Sequence, residues 1–350
     1  MVSLNMRIVA VEEHFTFPDL LGRIDPVTLH RNGWPVPGTA AFNAINPPAL
    51  ADTGRGRIAA MDAAGIQMQV LSVPGPAAEI VSGPDGIAIA RVYNDRMARL
   101  ISAEPDRFSA FAHLPMRNPA VAADELERAV VECGLRGALI SGTVDDRFLD
   151  APEFEPVLAR AERLGVPLYI HPGVPPEGVR AAYYDGLPDG ASFMLAIAGW
   201  GWHAETAVHI LRLALSGALD RHPRLKLLIG HMGEGLPTMM ERIDRVFSAY
   251  SSTHLERNVA RAIVEQVWVS TSGFSSTPAL LAAFLTFGAD RLLFSVDFPF
   301  GSNLAAVAFL KNLPVSAEDR EKIAHENADE LLRLRVNRPR KSVCAGTAAQ

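Results

Sequence analysis

Glu12 and His14 stand two residues apart at the end of an apolar run, and their side chains could together bind a divalent metal ion. Residues 8–11 are strand-like, and the side chains of a strand alternate between its two faces. Glu12 and His14 therefore point to one side, and Glu13 points to the other. A carboxylate beside an imidazole is half of a typical divalent-metal site. The alternative is that both are simply polar residues at a strand end.

Three later strand-like segments end in side chains of the same chemical kind, namely His171, His231 and Asp297. Each has a plain structural alternative. The histidines could be satisfied within the core, and Asp297, which precedes Phe298 and Pro299, could cap a turn. Together, however, they put metal-binding or proton-transferring groups at the ends of further strands. Such groups need partners when they are buried, and a shared metal ion would be one.

The chemistry of these side chains suggests a role for each. The expected ligands offer oxygen and nitrogen atoms and no thiolate, which suits Zn²⁺ or Mn²⁺ with positions left for water or substrate. They are Glu12, His14, His171 and Asp297. His231 is left as a group beside the metal ligands. Glu234 could orient the His231 imidazole and raise its basicity, or it could be a favourable charge at a helix N-terminus.

Strand-like and helix-like segments alternate along the 350 residues. Eight apolar strands are predicted, near residues 8, 68, 110, 137, 168, 227, 268 and 293. Each but the last is followed by a helix before the next strand. Eight such units predict an α/β fold, a (β/α)8 TIM barrel, with catalytic groups at the C-terminal ends of its strands. A doubly wound open sheet is the alternative, but no glycine-rich phosphate loop follows the first strand.

Two long stretches interrupt this alternation. Residues 15–52 are rich in proline, and residues 174–202 carry several aromatic side chains. We interpret them as loop insertions after strands 1 and 5, and long loops inside a compact domain are usually functional. There is no sign of a second domain. Residues 1–337 are expected to form a single metal-dependent barrel domain, and residues 338–350 a disordered polar tail.

Composition limits the possible classes of protein. Hydrophobic residues make up 49% of the chain, enough for a full core, and a net charge of −6 without a basic patch argues against a nucleic-acid partner. Two cysteines, Cys133 and Cys344, lie outside any metal-binding motif and fit a reducing cytoplasm. No signal-peptide core is present, and the most apolar run, near 279–287, is too short to span a bilayer. We expect a cytoplasmic protein without a membrane partner.

A set of short motifs runs from about residue 8 to residue 334. They are VEEHF at 11–15, GRI at 56–58, MD at 61–62, PDRF at 105–108, HP at 171–172, ETAVH at 205–209, GHMGEGLP at 230–237, GADR at 288–291 and FSVDFPF at 294–300. In type and order they resemble the metal-dependent decarboxylases of the amidohydrolase superfamily (amidohydrolase 2). The resemblance is greatest to the γ-resorcylate (2,6-dihydroxybenzoate) decarboxylases, and more distant to the aminocarboxymuconate-semialdehyde decarboxylases.

The resemblance implies a TIM barrel with one divalent metal held by the four expected ligands. It implies that the substrate carboxylate and an ortho oxygen bind the metal, and that Asp297 protonates the ring carbon bearing the carboxylate. Loss of carbon dioxide then restores the aromatic ring, and His231 and Glu234 assist. Arg242 falls where the family places an arginine that can reach a neighbouring subunit's site, although it could also be a solvated charge on a helix.

Two further positions bear on the substrate. Phe247 stands where the dihydroxybenzoate enzymes of this family carry an asparagine, in the part of the helix that reaches a neighbouring subunit. This difference removes a hydrogen-bonding group and adds apolar bulk, so a larger or more apolar acid is expected. Arg57 either contacts substrate or merely begins a helix.

The leading hypothesis is non-oxidative decarboxylation of an aromatic, hydroxybenzoate-like, or enoic carboxylic acid by a carbon–carbon lyase. The alternative is a metal-dependent hydrolase of a lactone, ester or thioester, because the same metal could activate a bound water and the fold alone does not choose. A non-catalytic binding barrel is a third hypothesis, against which the intact ligand set argues. The expected partner is a small carboxylic acid, and the expected assembly is a homodimer or homotetramer.

Overall fold

The computed structural model describes residues 6–188, 190–249 and 255–334. The tail predicted at 338–350 lies outside the described residues. Parallel strands occupy all eight predicted positions, the third of them as two short strands. The strands are β1 (Val9–His14), β2 (Met68–Ser72), β3 (Phe108–Ala110), β4 (Ala112–His113), β5 (Ala138–Ser141), β6 (Pro167–His171), β7 (Lys226–Ile229), β8 (Val267–Ser270) and β9 (Leu292–Leu293).

The strands pair in chain order and form two parallel sheets. β1, β2 and β3 make a three-stranded sheet, and β4 to β9 make a six-stranded sheet. At the division, Phe111 N donates to Leu71 O at 2.9 Å. At the other edge, Val11 N donates to Phe294 O, just beyond β9, at 3.2 Å. This order agrees with the predicted succession of βα units, while complete closure of the barrel stays a prediction.

Longer helices lie between the strands and after the last of them, as the periodicity predicts. They are α1 (Arg55–Ala64), α2 (Gly83–Ala103), α3 (Pro119–Val131), α4 (Glu155–Leu164), α5 (Gly201–Leu215), α6 (Leu236–Ala249), α7 (Val259–Gln266), α8 (Thr277–Phe287) and α9 (Asn303–Lys311). α1 and α4 end at Gly65 and Gly165, whose φ angles of 81° and 65° lie in the left-handed region that favours glycine. The sequence analysis did not predict α7. Among the described residues, no helix has the length and apolar character needed to cross a membrane.

The two predicted insertions contain short helices instead of extended loop. The prolines of the first stretch exclude a long helix but begin three short ones, because proline fits the first turn, where its missing N–H has no partner to lose. The short helices are Pro18–Leu21, Pro26–Arg31, Ala40–Ile45 and Pro48–Ala51 in the first stretch, and Glu177–Val179, Arg180–Tyr184 and Ala191–Ala196 in the second. Others are Ala78–Ile80, Pro152–Phe154, Ala218–Arg221, His231–Gly233, Ala289–Arg291, Ala317–Glu321, Lys322–Glu326 and Asn327–Leu331.

The strands are buried on both faces, as in a sheet covered by helices. Ile8 and Ala10 belong to a large hydrophobic cluster that includes helix side chains, whereas Val9 and Val11 belong to a smaller cluster. The smaller cluster also contains Tyr169 of β6. The side chains of β1 thus alternate between two apolar layers. The strand ends in three polar residues, Glu12, Glu13 and His14, which are also buried.

Candidate metal centre and active site

Two histidines and two carboxylates converge beyond the C-terminal ends of the strands. Glu12 and His14 come from β1, His171 ends β6, and Asp297 follows β9. His14 Nε2 lies 3.1 Å from Asp297 Oδ1 and 3.8 Å from Glu12 Oε1. His171 Nε2 lies 3.4 Å from Glu12 Oε1. The structure therefore brings the four expected ligands together, although 157 residues separate Glu12 from Tyr169, which lies on the strand that carries His171.

The unused atoms of this cluster fit a divalent metal. Within the described residues, Glu12 Oε1 and His14 Nε2 are buried, and neither atom makes a hydrogen bond. The other ring nitrogens are engaged, since His14 Nδ1 lies 3.1 Å from Ser72 Oγ and His171 Nδ1 donates to Pro172 O at 2.7 Å. Each imidazole thus presents Nε2 to the cluster. Two imidazoles and two carboxylates are suitable ligands for Zn²⁺ or Mn²⁺.

Glu12 is held so that one oxygen faces the cluster. Its Oε2 accepts hydrogen bonds from the Tyr169 hydroxyl and, at 3.1 Å, from Ser270 Oγ. Burial raises the pKa of Glu12, so a positive charge at the site would stabilise its ionised form. Gly230 packs against the same carboxylate, and a Cβ atom there would lie 2.6 Å from Glu12 Oε2. Only a residue without a side chain permits this approach.

His231 and Glu234 form a hydrogen-bonded chain with a third residue, His203. His231 Nδ1 lies 2.8 Å from Glu234 Oε1, and His203 Nδ1 lies 2.5 Å from Glu234 Oε2. At the other end, His231 Nε2 lies 3.9 Å from Asp297 Oδ2. His203 was not expected at the site from the sequence, because it belongs to α5 and not to a strand end. The sequence offered one indication of its role, since His203 directly follows Trp202 at the end of the second insertion.

Charges within the cluster set the protonation of these groups. Burial acts to lower the pKa of His231, but Glu234 and Glu12 outweigh it and raise that pKa well above its ordinary value. Burial acts to raise the pKa of Glu234, but His231 and His203 lower it to about 2. Burial likewise opposes ionisation of Asp297, yet His14 and His231 hold the pKa of that carboxyl below its ordinary value. These charges favour the protonated form of His231, which lies between the Glu234 and Asp297 carboxylates.

Burial has the opposite consequence for His171. It lowers the pKa of this imidazole to about 3, and the neighbouring His14 and His231 act in the same direction. His171 is therefore neutral, the state in which an imidazole nitrogen can bind a metal.

Several site residues have an unusual backbone conformation. The φ angles of His231, Glu234 and Asp297 are 51°, 56° and 69°. Non-glycine residues seldom adopt this left-handed region, at a cost of about 1–3 kcal/mol each, and they keep it where surrounding contacts impose it. Such residues are concentrated at functional sites in proteins, which agrees with an active site here.

Glu13 supplies the contacts that hold Asp297 in this conformation. Its Oε1 accepts hydrogen bonds from Ser295 Oγ at 3.0 Å and Val296 N at 2.9 Å. Its Oε2 accepts one from Phe298 N at 3.2 Å. Burial raises the pKa of Glu13 to about 8 against the lowering effect of these hydrogen bonds. One carboxylate, on the opposite side of β1 from the metal ligands, thus fixes the backbone on both sides of Asp297.

Arg57 is buried and contacts protein groups. Its Nε donates to Asp52 O at 2.7 Å, its Nη1 to Gln69 Oε1 at 3.2 Å, and its Nη2 to His14 O at 2.5 Å. The guanidinium also lies over the ring of Phe298, 4.7 Å from its centre. These contacts fix the backbone of His14 and do not support the expectation that Arg57 contacts substrate.

α6 carries the other two expected substrate-binding residues. Arg242 is exposed, and Phe247 is half-buried against the large hydrophobic cluster. In the described residues of this single chain, neither is among the side chains that contact the metal cluster. A role for either in substrate binding would therefore require a neighbouring subunit, as the family resemblance implies.

Aromatic rings border the cluster. The ring centres of Phe300 and His14 lie 6.1 Å apart, those of Trp202 and His171 6.3 Å apart, and those of Phe274 and His231 6.1 Å apart. Phe300 is 47% exposed and so remains accessible. Flat aromatic rings thus border three imidazoles of the site, and such rings suit a planar organic substrate.

A buried carboxylate in α5 makes stability depend on pH. Glu205 Oε1 has no hydrogen bond within the described residues, and burial raises the pKa of Glu205 from near 4.5 to about 8. Between pH 4.5 and about pH 8, the Glu205 carboxyl is ionised in the unfolded chain but protonated in the folded chain. The free energy of unfolding therefore falls as the pH rises, by up to about 1.4 kcal/mol per pH unit. We expect Glu205→Gln to raise the melting temperature at pH 8 more than at pH 5.

Thermal denaturation at both pH values tests this expectation. Glu241→Gln is the control, because Glu241 is an exposed glutamate on α6, and its melting temperature should follow the wild type at both pH values. An equal shift for Glu205→Gln at pH 5 and pH 8 would show that Glu205 is not held neutral in the fold.

The fold and the cluster together define a class of protein. The chain carries two imidazoles and two carboxylates at the ends of parallel strands, with the His231 imidazole beside one of those carboxylates. This arrangement is that of an enzyme that uses a divalent metal ion at the C-terminal face of a barrel-like α/β fold.

Comparison with known proteins gives the family. Residues 29–334 match the model of the amidohydrolase family, and the chain belongs to this family. It is 38% identical over 342 residues to γ-resorcylate decarboxylase of Rhizobium sp. (strain MTP-10005), covering 93% of this chain and 98% of the relative.

Solved structures agree with this assignment. The crystal structure of 2,6-dihydroxybenzoate decarboxylase from Rhizobium is 36% identical, with a TM-score of 0.82 over 94% of this chain and 99% of that one. The structure of dihydroxybenzoic acid decarboxylase from Polaromonas sp. JS666, with bound manganese and 2-nitroresorcinol, is 35% identical, with a TM-score of 0.80 over 94% and 97%. The predicted TIM-barrel type of α/β fold is thereby confirmed.

These relatives also decide between the functional hypotheses. They are decarboxylases, and the chain is accordingly a metal-dependent carboxy-lyase of the amidohydrolase family, as predicted. The prediction of one divalent metal is confirmed by the ligand cluster together with the manganese-bound neighbours. The alternative of a hydrolase is supported only by the name of the superfamily.

Proposed function

We propose that this enzyme removes the carboxyl group of a hydroxybenzoate-like aromatic acid as carbon dioxide. The observation that carries the proposal is the convergence of four ligand side chains with His231, whose Nε2 lies 3.9 Å from Asp297 Oδ2. A metal cluster with an adjacent proton donor has the two elements that protonation of an activated ring carbon needs. The relatives named above support the aromatic class of substrate in preference to the enoic class.

Glu12, His14, His171 and Asp297 would hold the ion, and we propose manganese, because neighbours of similar fold were crystallised with it. A bound divalent ion supplies a Lewis acid and a template for the substrate's carboxylate and its ortho oxygen. The aromatic side chains at the border, Phe300 among them, would pack against the substrate ring.

Protonation of the ring is the role we propose for Asp297 and His231. Asp297 takes a proton from His231 Nε2 and gives it to the ring carbon that bears the carboxylate. The bond between that carbon and the carboxyl group then breaks, its electron pair restores the aromatic ring, and carbon dioxide leaves. His231 regains a proton from solvent, and Glu234 stabilises its imidazolium form. One proton enters for each carbon dioxide released.

Arg242 and Phe247 are proposed to act on substrate across a subunit interface, in a homodimer or homotetramer. The exposed apolar side chains of Tyr183, Trp200 and Leu285 support self-association. Light scattering coupled to gel filtration measures the mass, and a monomer would exclude this role. We further propose a cytoplasmic location, which the scarcity of cysteine supports.

The proposed activity is tested on the purified protein by metal analysis and by carbon dioxide release from a panel of hydroxybenzoates. We expect about one divalent ion per chain, and release of carbon dioxide that stops on chelation and returns with added Mn²⁺. Because Phe247 replaces an asparagine of the dihydroxybenzoate enzymes, acids with additional apolar substituents should outperform 2,6-dihydroxybenzoate. Stoichiometric metal with turnover of lactones or esters, and no carbon dioxide from any acid, would overturn the proposal.

A further inference from the structure

His203 lies outside the metal cluster but holds one of its supporting groups. Its Nδ1 is 2.5 Å from Glu234 Oε2, while the other oxygen of Glu234 is 2.8 Å from His231 Nδ1. An ionised carboxylate only accepts hydrogen bonds, so both imidazoles donate through Nδ1. Glu234 is therefore shared between the two histidines, with one oxygen for each.

The His203 ring is itself fixed from several sides. Its Nε2 lies 3.2 Å from Ala198 O, and its ring packs edge-on against His231, with 5.0 Å between centres, and Phe274, with 5.7 Å. The His203 side chain is 16% exposed, while that of Glu234 is fully buried. His203 thus connects the second insertion and the first turn of α5 to the buried carboxylate.

Without His203, the remaining contacts would not fix the orientation of the Glu234 carboxylate. Its Oε2 would lose a charge-assisted hydrogen bond, and a carboxylate can turn about its last torsion to share both oxygens with a single donor. Such a turn would move Oε1 from its position on His231 Nδ1. The direction of His231 Nε2, which lies beside Asp297, would change with it. Partners of this kind typically contribute 10- to 100-fold to the activity of a metal site.

We propose that His203 is a positioning residue: it fixes Glu234, which in turn orients His231 toward Asp297. The role rests on the proposed decarboxylation for its kinetic consequence, but its structural basis is independent of the substrate. His203 touches neither the substrate carbon nor a metal ligand, and it acts through Glu234.

A pair of variants of similar shape tests this role. His203→Asn keeps an N–H donor near the position of Nδ1, and His203→Leu has nearly the same size without a donor. In the metal-loaded enzyme we expect His203→Leu to lower kcat about 10- to 100-fold, with KM and metal content close to wild type. His203→Asn should recover most of the rate. Equal losses in both variants, accompanied by a lower melting temperature, would show that the residue is merely structural.

A double-mutant cycle tests whether His203 acts through Glu234. In a Glu234→Gln background, His203→Leu should have almost no further effect on kcat, because the group that it positions is already altered. A further loss as large as that in the wild-type background would overturn the proposal.

NMR of histidine-labelled protein loaded with diamagnetic Zn²⁺ gives a readout that does not need turnover. The Nδ1–H protons of His203 and His231 should give two signals shifted by their bonds to the carboxylate. His203→Leu should remove one signal and move the other, whereas His203→Asn should leave the second near its wild-type position. An unmoved His231 signal in His203→Leu would refute the positioning role. If no acid releases carbon dioxide, the proposed function fails, while this measurement still decides the role of His203.

Discussion

Replacing Asp297 with asparagine is expected to lower kcat for decarboxylation by about 10²- to 10⁴-fold, the range typical for removal of a positioned proton donor. Asparagine has the same shape and keeps one oxygen for the metal, but it cannot carry a proton from His231 to the ring carbon. His231 Nε2 lies 3.9 Å from the Oδ2 atom that would be replaced. Initial rates of carbon dioxide release measure the effect.

The rates of Asp297→Asn must be compared at saturating metal, because Asp297 is also an expected ligand. Metal content is therefore determined on the same samples. Asp290→Asn is the matched control, since this aspartate is exposed and pairs with Lys322 at 3.0 Å on the surface. It should keep the wild-type kcat. A metal-loaded Asp297→Asn enzyme with wild-type kcat would exclude Asp297 as the proton donor.

Replacing Glu12 with glutamine is expected to abolish stoichiometric metal binding and, with it, turnover. The substitution removes a negative charge from the centre of the cluster, where His14 Nε2 and His171 Nε2 lie 3.8 Å and 3.4 Å from Glu12 Oε1. Loss of a direct ligand should exceed the 10- to 100-fold cost typical of an outer partner. The metal-free variant should melt higher than the metal-free wild type, because a buried carboxylate whose Oε1 has no hydrogen bond within the described residues has been removed.

Added Mn²⁺ provides the readout. It should raise the melting temperature of the wild type, since an ion that binds only the folded state stabilises it, and should leave Glu12→Gln unchanged. Tyr169→Phe is the graded control, because it removes only the hydroxyl that donates to Glu12 Oε2. It should weaken metal binding about 10- to 100-fold. Full metal binding by Glu12→Gln would place the site elsewhere.

The convergence of the four expected metal ligands was predictable because local chain geometry decides it. Strand alternation puts Glu12 and His14 on one side, and parallel strands bring their C-terminal ends to the same edge, which adds His171 and Asp297. The motifs around His231 and Asp297 resemble those of the decarboxylases, and the comparisons confirm the family and the class of enzyme. The eight strand positions followed from apolar runs alone.

Other features depend on which distant groups a side chain contacts, and no local sequence pattern determines those contacts. Arg57 could begin a helix or reach a substrate, and only the folded chain shows its guanidinium on His14 O, 43 residues away. The prolines of the first insertion exclude a long helix, yet the sequence analysis did not anticipate the short helices that Pro18 and Pro26 begin.

The sequence by itself therefore determined the fold type, the class of enzyme and the set of expected metal ligands that the fold brings together, because these depend on hydrophobic periodicity and on motifs at strand ends. Only the tertiary structure decided what holds the expected ligands, and His231 beside them, in place. Glu13 accepts hydrogen bonds from residues 282–285 positions away, and His203 and Glu234 are 31 residues apart. Such partners are selected by three-dimensional packing and by the need of buried charges for donors, which spacing along the chain does not reveal.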